Sequence, residues 1–205
     1  MYRSPKYPAS PEQVAEFVDS MRHGTLIACA PGGFPQVSIL PFVKTGDEIE
    51  LHCVQADPTF AALQASPRCT YLVSDFLAFT PHDFVDPVDA GQATLHFRAV
   101  AFECEAVFVS TEPADVAAAL SRLLAHHEPD GSYEPVAVGE RYGARLERLA
   151  TARLAVRATH AKFKVGPAAL PEVKRQVADR LRTRAAPGDS RAADQIEAEL
   201  DRARR

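Results

Sequence analysis

Residues 51–60 read LHCVQADPTF. Leu51 and Cys53 alternate with His52 and Val54, the period of two expected of a strand with one buried face. Asp57 and Pro58 then have the chemistry of a helix start. A carboxylate can accept the first unpaired N–H groups, and a proline ring fixes φ where no donor is required. The stretch therefore places a histidine just before a sharp strand-to-helix handover and a fresh helix N-terminus just after it.

The flanking sequence sets this handover in a sheet. Upstream, SPEQVAEFVDSM at 10–21 reads as a short amphipathic helix, with Ser10 as cap, Pro11 in the first turn and Val14, Phe17, Val18 and Met21 at helical spacing. GTLIACA, QVSILPFV and IELHCV follow, separated by the turns PGG and KTGDE, which is the pattern of three antiparallel strands. Downstream of the helix DPTFAALQAS lie two β-branched and aromatic runs, RCTYLVSDFLAFT at 68–80 and TLHFRAVAFECEAVFVS at 94–110. The second is long enough to bend across a barrel. Between them, PHDFVDPVDAG holds Pro81, Pro87, Asp83, Asp86 and Asp89 and is expected to be a surface loop.

EPADVAAALSRLLAHHE at 112–128 reads as a long helix with Val116, Leu120, Leu123 and Leu124 on its packed face. RLERLATARLAVRATHAKFKVG at 145–166 supplies a short helix and a last strand. From Pro171 the composition changes. PEVKRQVADRLRTR is a basic amphipathic helix, and residues 185–205 form a polar, Ala-rich tail expected to dock weakly or fray. The expected organisation is a domain over 1–170 with an N-terminal helix and inserted helices, followed by a helical extension over 171–205.

With 205 residues, 46% of them apolar, the chain can bury a real core. A net charge of -4 and a pI near 6.0 give no overall positive field to recruit nucleic acid or anionic lipid. The N-terminus lacks the apolar core of a secretory signal and no run is long enough to span a membrane, so a cytoplasmic protein is expected. Cys29, Cys53, Cys69 and Cys104 have no CxxC spacing and sit in apolar runs, as reduced core residues would. There is no GxSxG, P-loop or HExxH pattern and no helix-turn-helix signature. His126 and His127, adjacent on a helix, point about 100° apart and do not converge on one ion. They suit the carbonyl end of their helix, as C-terminal caps.

The opening MYRSPKY, LPF at 40–42, HCVQADP at 52–58, LLAHHE at 123–128 and KFKVGP at 162–167 resemble, in this order, the PaiB-type FMN-binding negative transcriptional regulators. That family lies within the FMN-binding split barrel superfamily of pyridoxamine phosphate oxidases. The resemblance covers roughly residues 1–184. It implies a mainly β fold, an antiparallel Greek-key split barrel with peripheral helices, forming a homodimer with FMN between subunits. Signature positions differ. Where the family reads His-x-Ala-Arg-Ala-Asn-Pro, Gln55 replaces the arginine and Asp57 the asparagine. At 93–97 the chain keeps Thr94 and an aromatic, with His96 in the place of asparagine. At 162–168 it keeps Lys162 and Lys164 but not the following Ser-Gln-Asn.

The site implied by the resemblance comprises His52, Cys53, Gln55, Thr94, His96, Arg98, Lys162 and Lys164. Because a glutamine cannot supply charge to a phosphate dianion, Lys162, Lys164 or Arg98 would hold it. His52, Thr94 and His96 would supply hydrogen bonds. Each residue also has an ordinary structural reading: a strand histidine satisfied by a carbonyl, and surface lysines flanking the core residue Phe163. Three functions stay open: an FMN-binding PaiB-like regulator, an FMN-dependent oxidoreductase, and a cofactor-free split barrel in protein or DNA interaction. The candidate DNA contact is the face of 171–184 carrying Lys174, Arg175, Arg180, Arg182 and Arg184.

Overall fold

A computed structural model describes residues 6–204; residues 1–5, most of the MYRSPKY opening, and Arg205 lie outside the described residues. Six strands close into a barrel in the order β1-β2-β3-β6-β5-β4. They are β1 (His23–Ala28), β2 (Gln36–Thr45), β3 (Glu48–Val54), β4 (Arg68–Thr80), β5 (Thr94–Ser110) and β6 (Leu149–Lys164). The helices are α1 (Pro11–Asp19), α2 (Pro58–Ala65), α3 (Pro113–His127), α4 (Gly143–Leu146), α5 (Pro171–Arg184) and α6 (Asp189–Arg202). The chain groups into two compact units. One is Ala15–Val73 with Ala101–His160; the other is Met1–Val14, Ser74–Val100 and Ala161–Arg205.

In the first unit, β1, β2 and β3 form the expected meander, with Ile27 facing Val37 and Phe42 facing Leu51. The chain then crosses through α2 to β4, which pairs with the free side of β1, while β6 takes the free side of β3. This Greek-key wiring brings the ends of the sheet together and removes exposed edges. The barrel interior follows the strand alternation: Leu26, Phe42, Ile49, Leu51, Val73, Phe102 and Leu154 are all buried. Tyr71 is fully buried and donates its hydroxyl proton to the Leu40 carbonyl at 2.8 Å, so its polar end is satisfied inside the core. The Asp57 carboxylate caps α2 as expected, accepting from the Thr59 N–H at 2.9 Å and the Ser38 hydroxyl at 2.7 Å. His127 departs from its expected capping role: its Nε2 donates to the Phe42 carbonyl at 3.0 Å and ties α3 to β2.

In the second unit, α5 and α6 pack on each other. The expectation of a weakly docked tail is corrected here, because α6 buries Ala192, Ala193, Ile196 and Leu200 and α5 buries Val177, Ala178 and Leu181. Alanines add little to a hydropathy reading, yet they let two helices approach closely and bury their backbones' apolar surface. The turn between them requires Gly188, which has φ +90° and whose absent Cβ would collide with the Leu77 carbonyl oxygen. Asp189, 1% exposed, is paired with Arg184 at 2.5 Å and accepts the Ala186 N–H at 2.8 Å. The loop over 81–91 folds into two 3-10 turns, in which Asp86 accepts the Val88 and Asp89 N–H groups and Asp89 that of Gly91. These aspartates thus serve the turns. Among the described residues no helix is long and apolar enough to cross a membrane.

Candidate functional site

His52, Cys53 and Gln55 lie in the first unit and Thr94, His96, Arg98, Lys162 and Lys164 in the second. On β3, Cys53 points into the barrel core, where burial, with Asp57 nearby, pushes its thiol up to about 12. His52 sits on the opposite face, half-buried, and desolvation lowers its pKa. The side-chain amide of Gln55 donates to the carbonyls of Glu147 at 2.9 Å and Leu149 at 3.1 Å, while its backbone N–H donates to Arg148. Gln55 therefore clamps the α4–β6 turn. Its donors point to backbone carbonyls.

The second unit brings residues of β5 and β6 together. Phe163 is buried on one face of β6, and Lys162 and Lys164 share the other, as the alternation predicts. Lys162 Nζ lies 5.8 Å from the centre of the Phe97 ring, and Lys164 Nζ lies 6.0 Å from that of Tyr7. Partial burial and the charge of Lys162 both lower the Lys164 pKa. His96 is fully buried, with Nε2 2.5 Å from the Thr80 hydroxyl. Its pKa drops to about 4 because it is desolvated and because the charges of Lys164 and Arg184 face it. It is a neutral imidazole in a positive neighbourhood.

Two buried side-chain polar atoms have no hydrogen-bond partner among the described residues, His52 Nδ1 and His96 Nδ1. Buried ring nitrogens are nearly always satisfied, so each marks a place where something outside the chain can complete the structure. Both belong to the set implied by the sequence. At His96 the orphan nitrogen stands in the field of Lys164 and Arg184, a positive surrounding suited to a phosphate or another oxyanion.

Arg98 serves differently. It forms a two-point ion pair with Asp75, Nη2 to Oδ2 at 2.6 Å and Nε to Oδ1 at 3.2 Å, and also reaches Gln195 at 3.3 Å. Arg191 shares the same carboxylate at 2.9 Å. Thr94 opens β5, partly exposed. Thr80 and Tyr7 also belong to this cluster with no sequence signal for it, as does Arg184, expected instead on a DNA-facing side of its helix. Thr80 closes a strand run, and nothing in its local sequence says that it meets His96 across the long loop. Among the described residues, no group of three or more His, Cys, Asp or Glu side chains could hold a metal ion.

A search of the curated proteins found no match. Among solved structures, the flavocytochrome Anf3 from Azotobacter vinelandii superposes with a TM-score of 0.60 at 20% identity, over 83% of this chain and 79% of its own. The FAD and heme binding protein from Mycobacterium smegmatis gives 0.57 at 16% identity, over 82% of this chain and 78% of its own. A conserved hypothetical protein from Mycobacterium tuberculosis gives 0.55 at 20%, over 80% and 91%. At these identities the likeness establishes the fold, a six-stranded antiparallel split barrel with flanking helices. The family model described as "Putative FMN-binding domain" matches residues 1–159. Spanning well over half of the chain and falling on that fold, the match makes this protein a member of that FMN-binding domain family.

Proposed function

We propose that this protein binds FMN as a homodimer of the PaiB-like type, with the flavin phosphate beside the end of β6. The observation that carries the reading is the orphan Nδ1 of fully buried His96 in the field of half-buried Lys164, which Lys162 faces in turn. The residues fit the group: a dianion would relieve the repulsion that lowers the Lys164 pKa and would give His96 a partner. Lys162 and Lys164 would hold the phosphate, and His96 and Thr94 would complete its hydrogen bonds. Arg98, fixed by Asp75, would shape the strand rather than contact the ligand. When bound, FMN supplies one- or two-electron redox chemistry, for which the protein needs few catalytic side chains.

A second reading, an FMN-dependent oxidoreductase, is favoured over operator binding by the state of α5. Arg182 is paired with Asp194 and Glu197, Arg184 with Asp189, and Lys174 lies 3.8 Å from Glu199. A helix whose cations face acids of its own chain has little charge left to release counterions from DNA. The cytoplasmic address expected from the sequence suits either reading.

Titration of FMN into Lys162→Ala and Lys164→Ala proteins tests the site. Losing one charge-assisted contact costs about 1.5 to 3 kcal/mol, or roughly ten- to a hundredfold in affinity. Unchanged dissociation constants in both variants, with wild-type binding intact, would move the phosphate elsewhere.

A further inference from the structure

Three of the four cysteines, Cys29, Cys69 and Cys104, line one open cleft of about 580 Å³, together with Arg68, Glu103 and Arg157. β4 and β5 are neighbours in the barrel, and the Ala106 N–H donates to the Pro67 carbonyl at 2.8 Å. Two residues further along each antiparallel strand, that register places Cys69 directly opposite Cys104, again at a hydrogen-bonded position of the ladder. Residues so paired have Cα atoms about 5.5 Å apart and side chains on the same face. A disulfide asks for a Cα separation of about 4.4 to 6.8 Å, so the bridge can close with little backbone movement.

The two thiols already meet. The Cys69 S–H donates to the Cys104 sulfur, which with burial pushes the Cys69 thiol well up and holds the Cys104 thiol below its ordinary range, so Cys104 is the readier thiolate. Cys104 is 4% exposed and Cys69 is partly exposed, and both border the cleft. Cys29 is turned aside, its S–H donating to the Gly33 carbonyl at 3.1 Å. Arg68, exposed, lines the same cleft and adds a positive charge beside the pair.

We propose that Cys69 and Cys104 form a redox-active dithiol site, oxidised by hydroperoxides entering the cleft to a reversible cross-strand disulfide. The Cys104 sulfur attacks one peroxide oxygen and the O–O bond breaks. The other oxygen leaves with a proton as water or an alcohol, giving a sulfenic acid on Cys104. The Cys69 sulfur then attacks the Cys104 sulfur, the S–O bond breaks and water departs, carrying the remaining thiol proton. The dithiol loses two electrons and the peroxide gains them. An external dithiol reverses the bridge by exchange. This site is independent of the flavin reading and stands or falls without it.

Peptide mapping of the full-length protein tests the assignment. After treatment with equimolar hydrogen peroxide and alkylation of remaining thiols, cleavage after Arg and Lys separates residues 69–98 from 99–122, with one cysteine in each. The expected result is a cross-linked pair of these two peptides, a fall from four free thiols to two, and full reversal by dithiothreitol. The cross-link persists in Cys29→Ser protein and disappears in Cys69→Ser protein, whose fold is checked by its unfolding transition. A bridge involving Cys29, sulfinic acid on Cys104 without a cross-link, or four unreacted thiols would overturn the proposal, and each is read on the unsubstituted protein.

Discussion

His96 shows what one buried residue contributes in electrostatic terms. Its folded pKa of about 4 lies below the ordinary 6.5, so the unfolded chain binds the proton more tightly. Stability is therefore complete above pH 6.5 and declines as the pH falls toward 4, by up to about 3 kcal/mol from this residue. Denaturant unfolding between pH 7 and pH 4 should show that decline, and His96→Gln protein should lack this component of it. An identical pH dependence in the variant would mean that another group is responsible. The Asp189 carboxyl, lowered by its bond to Arg184, acts in the same direction at lower pH: its stabilisation is present above its ordinary 3.8 and is lost as the pH falls below it. At this scale the sequence shows the residue types but not their engagements. Lys162 and Lys164 share a face, as strand alternation requires. Gln55, expected as a weakened phosphate contact, has its donors bound to the carbonyls of Glu147 and Leu149, ninety or more positions away, which no local pattern reveals.

Among the elements, the strands were the most legible. RCTYLVSDFLAFT and TLHFRAVAFECEAVFVS match β4 and β5 residue for residue, because β-branched and aromatic runs bounded by proline, serine and alanine leave little choice of ends. The basic helix over 171–184 was equally clear. α6 was misjudged because its packed face is built from Ala192 and Ala193 with only Ile196 and Leu200 as large residues, a pattern that tertiary contact makes meaningful and composition conceals. The α5–α6 hairpin also carries a sharp mutational prediction. Asp189→Ala leaves Arg184 without its buried partner and the Ala186 N–H without an acceptor, and should cost about 3 kcal/mol in chemical denaturation. Gly188→Ala, with a Cβ driven into the Leu77 carbonyl, should destabilise by at least about 1 kcal/mol. Unfolding midpoints like wild type in both variants would show that α6 is dispensable to the fold.

For the whole molecule, the sequence reading of a Greek-key split barrel with flanking helices holds, and membership of the FMN-binding domain family gives it a ligand class. Its surface bears on assembly: Phe34 is 88% exposed, and Val37 and Ile39 on the outer face of β2 are 59% and 70% exposed. An apolar strand face of this kind suits burial against a second copy. Size-exclusion chromatography with light scattering should accordingly give twice the 22.3 kDa of one chain. Ile39→Glu should shift the protein toward monomer, and a wild-type monomer at micromolar concentration would contradict the dimer. The central claim is that the protein holds FMN, and equilibrium titration of the purified, flavin-free protein with FMN, followed by quenching of flavin fluorescence, tests it most directly. The account predicts saturable binding of one FMN per chain, with flavin absorption retained by the protein after desalting, whereas linear, unsaturated fluorescence and a colourless desalted protein would contradict it.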